Sequence, residues 1–344
     1  MRNLIIIILT VIPNLLCAQK KEYKRFETRP IHENYIIDYS DQLSIKIYGI
    51  LKSNKIAHVN YETEQKIEYK PNENFNIGFG LGYKWFGLDL AFNLSGVNND
   101  DDIYGHTKRF DIQSNIYTRQ FAIDIHWQKY RGYYGSNPED YRTSFDPDNP
   151  YPIRPDIRTV NYRLSALYIF KHDKFSYRSA FTYNERQIKG TGSFLAGPFF
   201  NYYRMDADST LIPLEAQSDF DSEYDFRGSE YINFGLAGGY AHNFVIGKRV
   251  FFSITMALGL GPEIKKTPAL DGREASNKSK FVGQAVIRAA MGYNSEKFYA
   301  GLSSVGVYSG EREEEDYLER GVSHLKIFIG KRFNPPKFLL PKKK

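Results

Sequence analysis

The sequence predicts an all-β fold, an up-and-down antiparallel transmembrane β-barrel of about twelve strands. Three observations predict it: apolar and polar residues alternate with a period of two, aromatic residues make up 16% of the 344, and the mean hydropathy is negative. Alternation gives a strand two chemically different faces. A barrel with one face toward lipid and one toward a wet lumen can be this polar, whereas a helical membrane protein cannot.

The alternation is clearest at 121–128, where Phe121, Ile123, Ile125 and Trp127 alternate with small or polar residues. The same pattern recurs at 110–116, 160–168, 232–240 and 252–260. The predicted strands run about 9 to 13 residues, which is long for a β-sandwich and suits a tilted membrane span. A soluble β-protein that binds an apolar ligand in the periplasm would also alternate, so that alternative stays open.

The N-terminus predicts export. A positive charge at Arg2 precedes the nearly apolar stretch 4–16 and then Cys17-Ala18-Gln19, which is the order of a secretory signal cleaved after Ala18. The apolar stretch is too short for a spanning helix. Because Leu16 is bulky, lipoprotein processing at Cys17 is disfavoured.

We therefore predict a barrel in the outer membrane of a Gram-negative bacterium. The predicted segments are a signal peptide at 1–18, a periplasmic leader at 19–41, the barrel at 42–333 and a basic tail at 334–344.

Composition excludes several functions. Cys17 is the only cysteine, so the mature chain has no disulfide, thiolate nucleophile or cysteine metal site. The net charge is +6, but no basic block interleaves with aromatics on one face, and nucleic acid is not an expected partner.

Connections give the strand count, because outer-membrane barrels have short periplasmic turns and longer outer loops. We place the short turns at 85–87, 117–119, 171–174, 247–249 and 294–296, and the long segments at 95–107, 131–156, 186–227, 263–279 and 310–318. A spanning strand at 191–204 would move the turn at 247–249 to the long-loop side, so we predict 191–204 to lie in an outer loop. This gives twelve strands; fourteen is the alternative, since 42–69 could supply a second span.

One motif resembles a known family. Tyr69-Lys70-Pro71-Asn72, followed by the glycine-aromatic strand and Lys-Trp turn of 76–88, is similar to the uncharacterised bacterial domain-of-unknown-function family 4421. The resemblance implies an exported protein matching over most of the mature chain, and no catalytic or binding residue. From the residues themselves, Pro71-Asn72 ends a strand and the glycines of 78–82 leave room for bulky side chains opposite. The motif predicts architecture and not a site.

The last strand predicts partners. The stripe of Leu325, Ile327, Ile329 and Phe333 is similar to the closing strand recognised by barrel-assembly machinery, although the tail 334–344 follows it here. We expect contact with that machinery, with outer-membrane lipid and with lipopolysaccharide.

No catalytic motif is found: the sequence has no Gly-x-Ser-x-Gly elbow, His-Glu-x-x-His pair or phosphate-binding loop. His126 and His324 are predicted to face the lumen, and Asp124 with His126 could form an acid–base pair. The favoured interpretation is that lumen charges pair with one another. These predicted lumen charges are Asp111, Asp124, His126, Arg163, Arg178, Arg288, Lys326 and Arg332.

The outer loops offer two weaker candidates. The acidic runs at 100–102 and 311–319 could gather divalent cations, but neither has the spacing of a calcium loop. The aromatic- and proline-containing loop at 137–157 is the better candidate for contacting a partner. No catalytic, cofactor or metal residue is assigned, and we predict a non-enzymatic narrow channel or surface protein, with an enzyme acting on lipid or peptide at the outer rim as the alternative.

Overall fold

The computed structural model describes residues 31–73, 75–84, 86–93, 100–142, 144–146, 148–220, 227–267, 276–313 and 316–335. The strands are β1 Ile36–Asp38, β2 Leu43–Asn60, β3 Lys66–Lys70, β4 Asn76–Tyr83, β5 Phe86–Asn93, β6 Lys108–Tyr117, β7 Phe121–Gly135, β8 Ile153–Ile169, β9 Glu185–Gln187, β10 Thr191–Asp206, β11 Gly228–Ile246, β12 Val250–Thr267, β13 Ser276–Asn294, β14 Phe298–Glu313 and β15 Asp316–Phe333. The helices are α1 Asp101–Tyr104 and α2 Arg178–Phe181, with 3₁₀ segments at Pro138–Asp140 and Leu214–Asp219.

Ten strands form a closed antiparallel ring in the described part of the chain. Its order is β2, β15, β14, β13, β12, β11, β10, β8, β7 and β3, after which β3 pairs with β2 again. The β4–β5 hairpin pairs with β2, and β6 pairs with β7. The predicted barrel class is confirmed, and the strand number differs from twelve: the ring has ten strands and three more are attached to it.

The long strands extend well past the length of a membrane span. β11, β12, β13 and β15 have 18 or 19 residues, whereas about 9 to 11 cross a bilayer. β11 and β12, for example, pair from the turn-side residues Ile246 and Val250 to Glu230 and Lys266. The strands are therefore longer than predicted, and several outer connections are correspondingly shorter.

The outward face carries the apolar residues of the alternation. On β12, Met256, Leu258 and Leu260 are 57–59% exposed, while Ser253 and Thr255 are buried inside. Phe170, Tyr293 and Phe333 are exposed near the short-turn end, where an aromatic girdle is expected. Tyr130, by contrast, lies inside the barrel, where its hydroxyl donates to Asp111 at 2.7 Å.

The predicted outer loop at 191–204 is wrong. These residues form the spanning strand β10, which pairs with β8 from Leu195↔Ile169 to Asp206↔Arg158 and with β11 along its whole length. The parity argument failed because the connection from β8 to β10 is not a turn at 171–174. It is the whole segment 170–190. This segment begins and ends at the short-turn end, so β8 and β10 run in opposite directions across the barrel.

Residues 170–190 fold into the short-turn end, which faces the periplasm in outer-membrane barrels. We call this segment the periplasmic plug. The rings of Tyr183 and Tyr299 are stacked, with centroids 4.6 Å apart and an angle of 2° between their planes. Burial raises the Tyr183 pKa well above its usual value. Asn294 donates from its side chain to the carbonyl oxygens of Ser179 and Glu185, both at 3.0 Å. The plug is thereby fixed to the barrel wall.

The leader adds one strand to the plug. β1 pairs with β9 through Ile36↔Gln187, Ile37↔Arg186 and Asp38↔Glu185. Ahead of it, the backbone N–H of His32 donates to Asp173 O at 2.9 Å. The described end of the predicted leader thus pairs its strand with the plug, while Tyr39 lies under the guanidinium of Arg332 on β15, 4.4 Å from the ring centroid.

The opposite end is filled by residues 207–220, which we call the outer cap. Leu211, Ile212, Ala216 and Phe220 are buried there against side chains of the ring. The hydroxyl of Tyr69 donates to Leu211 O at 2.7 Å. The lumen is thus occupied at both ends.

Within the described ranges, every helix is too short or too polar to span a bilayer. The predicted signal peptide at 1–18 lies outside the described residues, as does the basic tail beyond Pro335.

Candidate functional site: the polar layer of the lumen

Charged side chains form a layer between the periplasmic plug and the outer cap. Strand alternation turns each of them inward, away from the apolar outer face. This polar layer consists of Lys46, Lys52, Asp89, Asp111, Asp124, His126, Arg163, Glu263, Arg288, Arg320, His324 and Lys326.

A buried ion pair crosses the centre of the layer. Arg288 on β13 donates to Asp124 on β7 at 2.5 Å, and their side chains are 0% and 1% exposed. Asp124 also accepts from Ser165 at 3.0 Å and Asn115 at 2.6 Å, while Arg288 donates to the Tyr117 hydroxyl at 3.1 Å. Because both charges are compensated and hydrogen-bonded, the pair joins opposite walls without leaving an isolated buried charge.

A second buried pair lies toward the outer cap. Arg320 on β15 donates to both carboxylate oxygens of Glu263 on β12, at 3.1 and 2.9 Å. Its guanidinium stacks over Tyr231, 4.0 Å from the ring centroid. A cavity of about 10 Å³ adjoins the pair, lined in part by Asn161 and Arg163. That volume admits about one water molecule, so the layer is packed and not open here.

The third group lies on the β2 side of the lumen. Lys46 on β2 and Lys326 on β15 both contact Asp89 on β5, at 2.9 and 3.0 Å. Lys52 on β2 donates to Asp111 on β6 at 2.7 Å. The Lys46, Lys326 and Asp89 cluster therefore has two cations for one carboxylate.

His126 and Arg163 leave polar atoms unused. His126 is 3% exposed, and neither ring nitrogen has a hydrogen-bond partner in the described residues. On the neighbouring strand, Arg163 Nη1 has none either, although its Nε donates to Asn201 at 3.0 Å. The oxygens of Asp124 are taken by other groups. The described residues do not join Asp124 and His126 into an acid–base pair.

The predicted lumen charges all lie in the interior, but mostly with partners outside the predicted set. Among them, only Asp124 and Arg288 contact one another. Arg178 pairs with Glu185 within the plug at 2.9 Å, and Arg332 donates to Tyr183 O at 2.9 Å. The partners that the sequence analysis did not name include Lys52, Asp89 and Glu263. They lie at inward positions of β2, β5 and β12, so the alternation of these strands could have identified them as lumen residues.

The wall has an unpaired seam beside this layer. β5 pairs with β4 alone and β6 pairs with β7 alone, and no backbone ladder joins β5 to β6 among the described residues. Their outward residues Leu90, Phe92, Phe110 and Ile112 are 42–57% exposed. We call this feature the β5–β6 seam. It could not be predicted from the sequence, because alternation is the same for paired and unpaired edges.

The Tyr-Lys-Pro-Asn motif closes the ring above the seam. Tyr69 and Lys70 pair with Gly135 and Tyr134 of β7, and β3 ends at Lys70 as predicted from Pro71. The side-chain amide of Asn72 donates to Asp100, Asp101 and Gly105 O at 3.0 to 3.2 Å. The prediction that the motif is architectural agrees with these contacts.

The outer loops present no built ligand site in the described residues. No group of three or more His, Asp, Glu or Cys side chains is placed there to hold a metal ion. Of the acidic runs, Asp100 and Asp101 accept from Asn72, and Glu319 pairs with Lys55 at 2.9 Å. In the loop at 137–157, Tyr151 packs against Phe145 at 5.3 Å, so these aromatics contact one another.

Solved structures with a similar fold are outer-membrane proteins. The outer membrane protease OmpT of Escherichia coli is 10% identical and has a TM-score of 0.40, covering 86% of this chain and 98% of its own. The toluene transporter TodX of Pseudomonas putida is 9% identical with a TM-score of 0.27, covering 86% and 91%. The Yersinia pestis attachment invasion locus protein Ail is 10% identical with a TM-score of 0.18, covering 85% and 98%.

No curated protein matches the sequence. One family model does, over residues 31–333, which includes the end of the leader, the complete ring, the plug and the cap. The match contains the Tyr69–Asn72 motif at its ring-closing position. This chain belongs to the family described as Domain of unknown function (DUF4421).

Proposed function

We propose that this protein is a non-enzymatic outer-membrane barrel with a filled lumen, serving as a structural or surface-exposed protein. In this proposal a signal peptide directs its export, barrel-assembly machinery inserts it, and its apolar face contacts lipid and lipopolysaccharide. The observation that carries the proposal is the continuous filling of the lumen by plug, polar layer and cap, with Arg288 fully buried at the centre.

A narrow axial channel is the competing hypothesis. Solute moving along the axis would have to displace the plug, whose Tyr183 ring stacks on Tyr299 and packs at a tilt against Phe328, with ring centroids 4.6 Å apart in each pair. It would then have to separate the Asp124–Arg288 pair, and breaking a buried pair costs about 3–5 kcal/mol. Both barriers favour a barrel that does not conduct along its axis.

Electrical recording from planar bilayers tests this. We expect no steady current from the full mature protein, nor from a Tyr183→Ala/Arg332→Met variant, which loses the stacking and the hydrogen bonds that hold the plug but keeps the Asp124–Arg288 pair and the outer cap. Lys331→Met is the matched control, since Lys331 faces outward beside Phe298 and Phe333. Steady ohmic conductance by the unaltered protein would overturn the proposal.

Hydrolysis assays test the non-enzymatic part. Folded protein in vesicles is given fluorogenic peptides and phospholipids, and His126→Ala is compared with the unaltered chain. We expect both to match protein-free vesicles, because His126 has no nucleophile or carboxylate bonded to it among the described residues. Turnover that disappears with His126→Ala would replace the proposal with the enzyme alternative.

Location has its own test. The protein should fractionate with the outer membrane, and it should migrate faster on gels unheated than boiled, as closed barrels do. Extraction by carbonate without a heat-dependent shift would instead support the soluble periplasmic alternative.

A further inference from the structure

We infer that the β5–β6 seam is a binding site for the head group of a phospholipid, which enters the polar layer sideways from the bilayer. The inference goes beyond the proposed function, because it concerns the wall of the barrel and not its axis. Four features of the seam carry it: two unpaired strand edges, an excess of positive charge, unused acceptors and apolar rims.

Both edges belong to the part of the sheet between β2 and β7, where β4 and β5 extend the sheet from β2 and β6 extends it from β7. β5 begins at Phe86 and β6 ends at Tyr117, so both strands have one end at the short-turn side. Unpaired backbone groups at hydrocarbon depth cost several kcal/mol each unless they line a polar cavity. Here the polar layer lies directly behind them, and a hydrated head group can satisfy these groups where a lipid tail cannot.

The charge behind the seam suits a phosphate. Lys46 and Lys326 share the single carboxylate of Asp89, whose side chain is 33% exposed. Lys326 also stands over the ring of Tyr48 at 4.5 Å, which holds its ammonium in place. One net positive charge therefore remains on the β5 side, and lysine is a common ligand of phosphate oxygens.

The β6 side of the seam offers acceptors. Asp111 Oδ1 and Gln113 Oε1 are buried and have no hydrogen-bond partner among the described residues. Buried acceptors ordinarily find donors, and leaving one unsatisfied is unfavourable. A head group that combines a phosphate with an ammonium or hydroxyl donor would serve both sides of the seam at once.

The rims suit acyl chains. Leu90 and Phe92 on β5 and Phe110 and Ile112 on β6 point to the membrane on either side of the opening. A lipid whose head lies between the strands would lay its tails along these side chains. The occupant is therefore an amphipathic phospholipid rather than a free phosphate.

Native mass spectrometry of the folded protein in detergent tests the site. With phosphatidylethanolamine we expect one lipid per barrel, bound at least tenfold less tightly by Lys46→Gln/Lys326→Gln and equally well by the outward-facing control Lys331→Gln. Phosphatidylcholine, which has the phosphate but no donor, should bind more weakly than phosphatidylethanolamine. Equal binding by the double variant would overturn the inference, and heat-dependent gel migration verifies that each variant is folded.

Competition identifies the source of the phosphate. Inorganic phosphate and glycerophosphoethanolamine at millimolar concentration should leave the bound lipid in place. Displacement by either would mean that the site takes a soluble anion, and the lipid assignment would be wrong.

The route is tested by closing the seam. The mature chain predicted from the sequence has no cysteine, so Leu90→Cys/Ile112→Cys introduces a unique pair across it. After bridging with a short bis-maleimide, the barrel should take up lipid at least tenfold more slowly than after capping with N-ethylmaleimide. Uptake at the same rate in both forms would contradict lateral entry. This result is independent of the axial conductance, so the two proposals can fail separately.

Discussion

Changing Asp124 to Asn should destabilise the barrel strongly. The substitution keeps the size of the side chain, but it leaves Arg288, which is 0% exposed, without its carboxylate. Stacking of the guanidinium near Tyr117 and Tyr177, 5.7 Å from each centroid, cannot replace a full negative charge. Breaking a buried pair by removing one partner costs about 3–5 kcal/mol, and we expect a loss of free energy of unfolding in that range.

Urea unfolding of protein folded in lipid vesicles measures this loss, followed by the fluorescence of the two tryptophans, Trp85 and Trp127, and by heat-dependent gel migration. Asp206→Asn is the control, because Asp206 pairs with Arg204 at 2.8 Å while both are about half exposed, and surface pairs contribute about 0–1 kcal/mol. Asp124→Leu/Arg288→Met should recover most of the lost stability, since it removes both charges together. The reasoning is refuted if Asp124→Asn costs no more than Asp206→Asn, or if the double change is as harmful as the two single losses summed.

Three further predictions use the same unfolding measurement. Gly132→Ala should cost about 1–3 kcal/mol, because φ is +94° at this bulge in β7 and the new Cβ would meet His106 O; Gly247→Ala, at φ +58° with open space around it, should cost less. Asn72→Ala should cost about 1–3 kcal/mol by removing the donor to Asp100, Asp101 and Gly105, and a neutral result would show that the motif does not hold the ring closed. Burial raises the Glu73 pKa to about 7 from 4.5, so the folded state binds the proton more tightly and stability should fall as the pH rises from about 4.5 to 7; Glu73→Gln should lose that slope, and an unchanged slope would assign it to another group.

The faces of the strands could be predicted because alternation is a local property. At 121–128 the apolar residues point outward, while Asp124, His126 and Gln128 are 1–3% exposed inside. The same holds on β12 and β13, where inward Thr255 and Arg288 are buried. Whether a side chain points into the lumen or toward the membrane depends only on whether its position in the strand is odd or even. A correct strand assignment therefore determines the direction of every side chain in that strand.

Connections could not be predicted as well, because a plug and a spanning strand have similar composition. The segment 170–190 is rich in aromatic and polar residues, as the strands are, but it contains the short helix α2 and makes its contacts with the inner wall. Its carbonyl groups are satisfied by side chains of Asn243, Asn294 and Arg332, which are far away in sequence. Once the turn was limited to 171–174, residues 175–185 counted as a span, and parity forced β10 into a loop.

The sequence predicted that charged residues in the lumen pair with one another, but not which residues form each pair. Inward charges were expected to compensate one another, yet which carboxylate meets which cation depends on the stagger between strands that are not neighbours in the sequence. Arg320 on β15 meets Glu263 on β12, across the lumen, and no local pattern relates these two positions. Buried charge demands a partner, and the identity of that partner is a property of the closed ring.

The number of strands differs between the sequence-based prediction and the structure. Toward the outer end β3 joins β2 to β7 and closes the ring of ten strands, whereas toward the periplasm β4 and β5 extend the sheet from β2 and β6 extends it from β7. The count differs from the predicted twelve because β4, β5 and β6 are attached below β3, with an unpaired seam between β5 and β6. Alternation sets the faces of β5 and β6 but says nothing of their edges, since hydrogen bonding between strands uses backbone groups that every residue has. The seam therefore follows from how the motif at Tyr69 to Asn72 closes the ring above it, and its behaviour depends on the polar layer behind it.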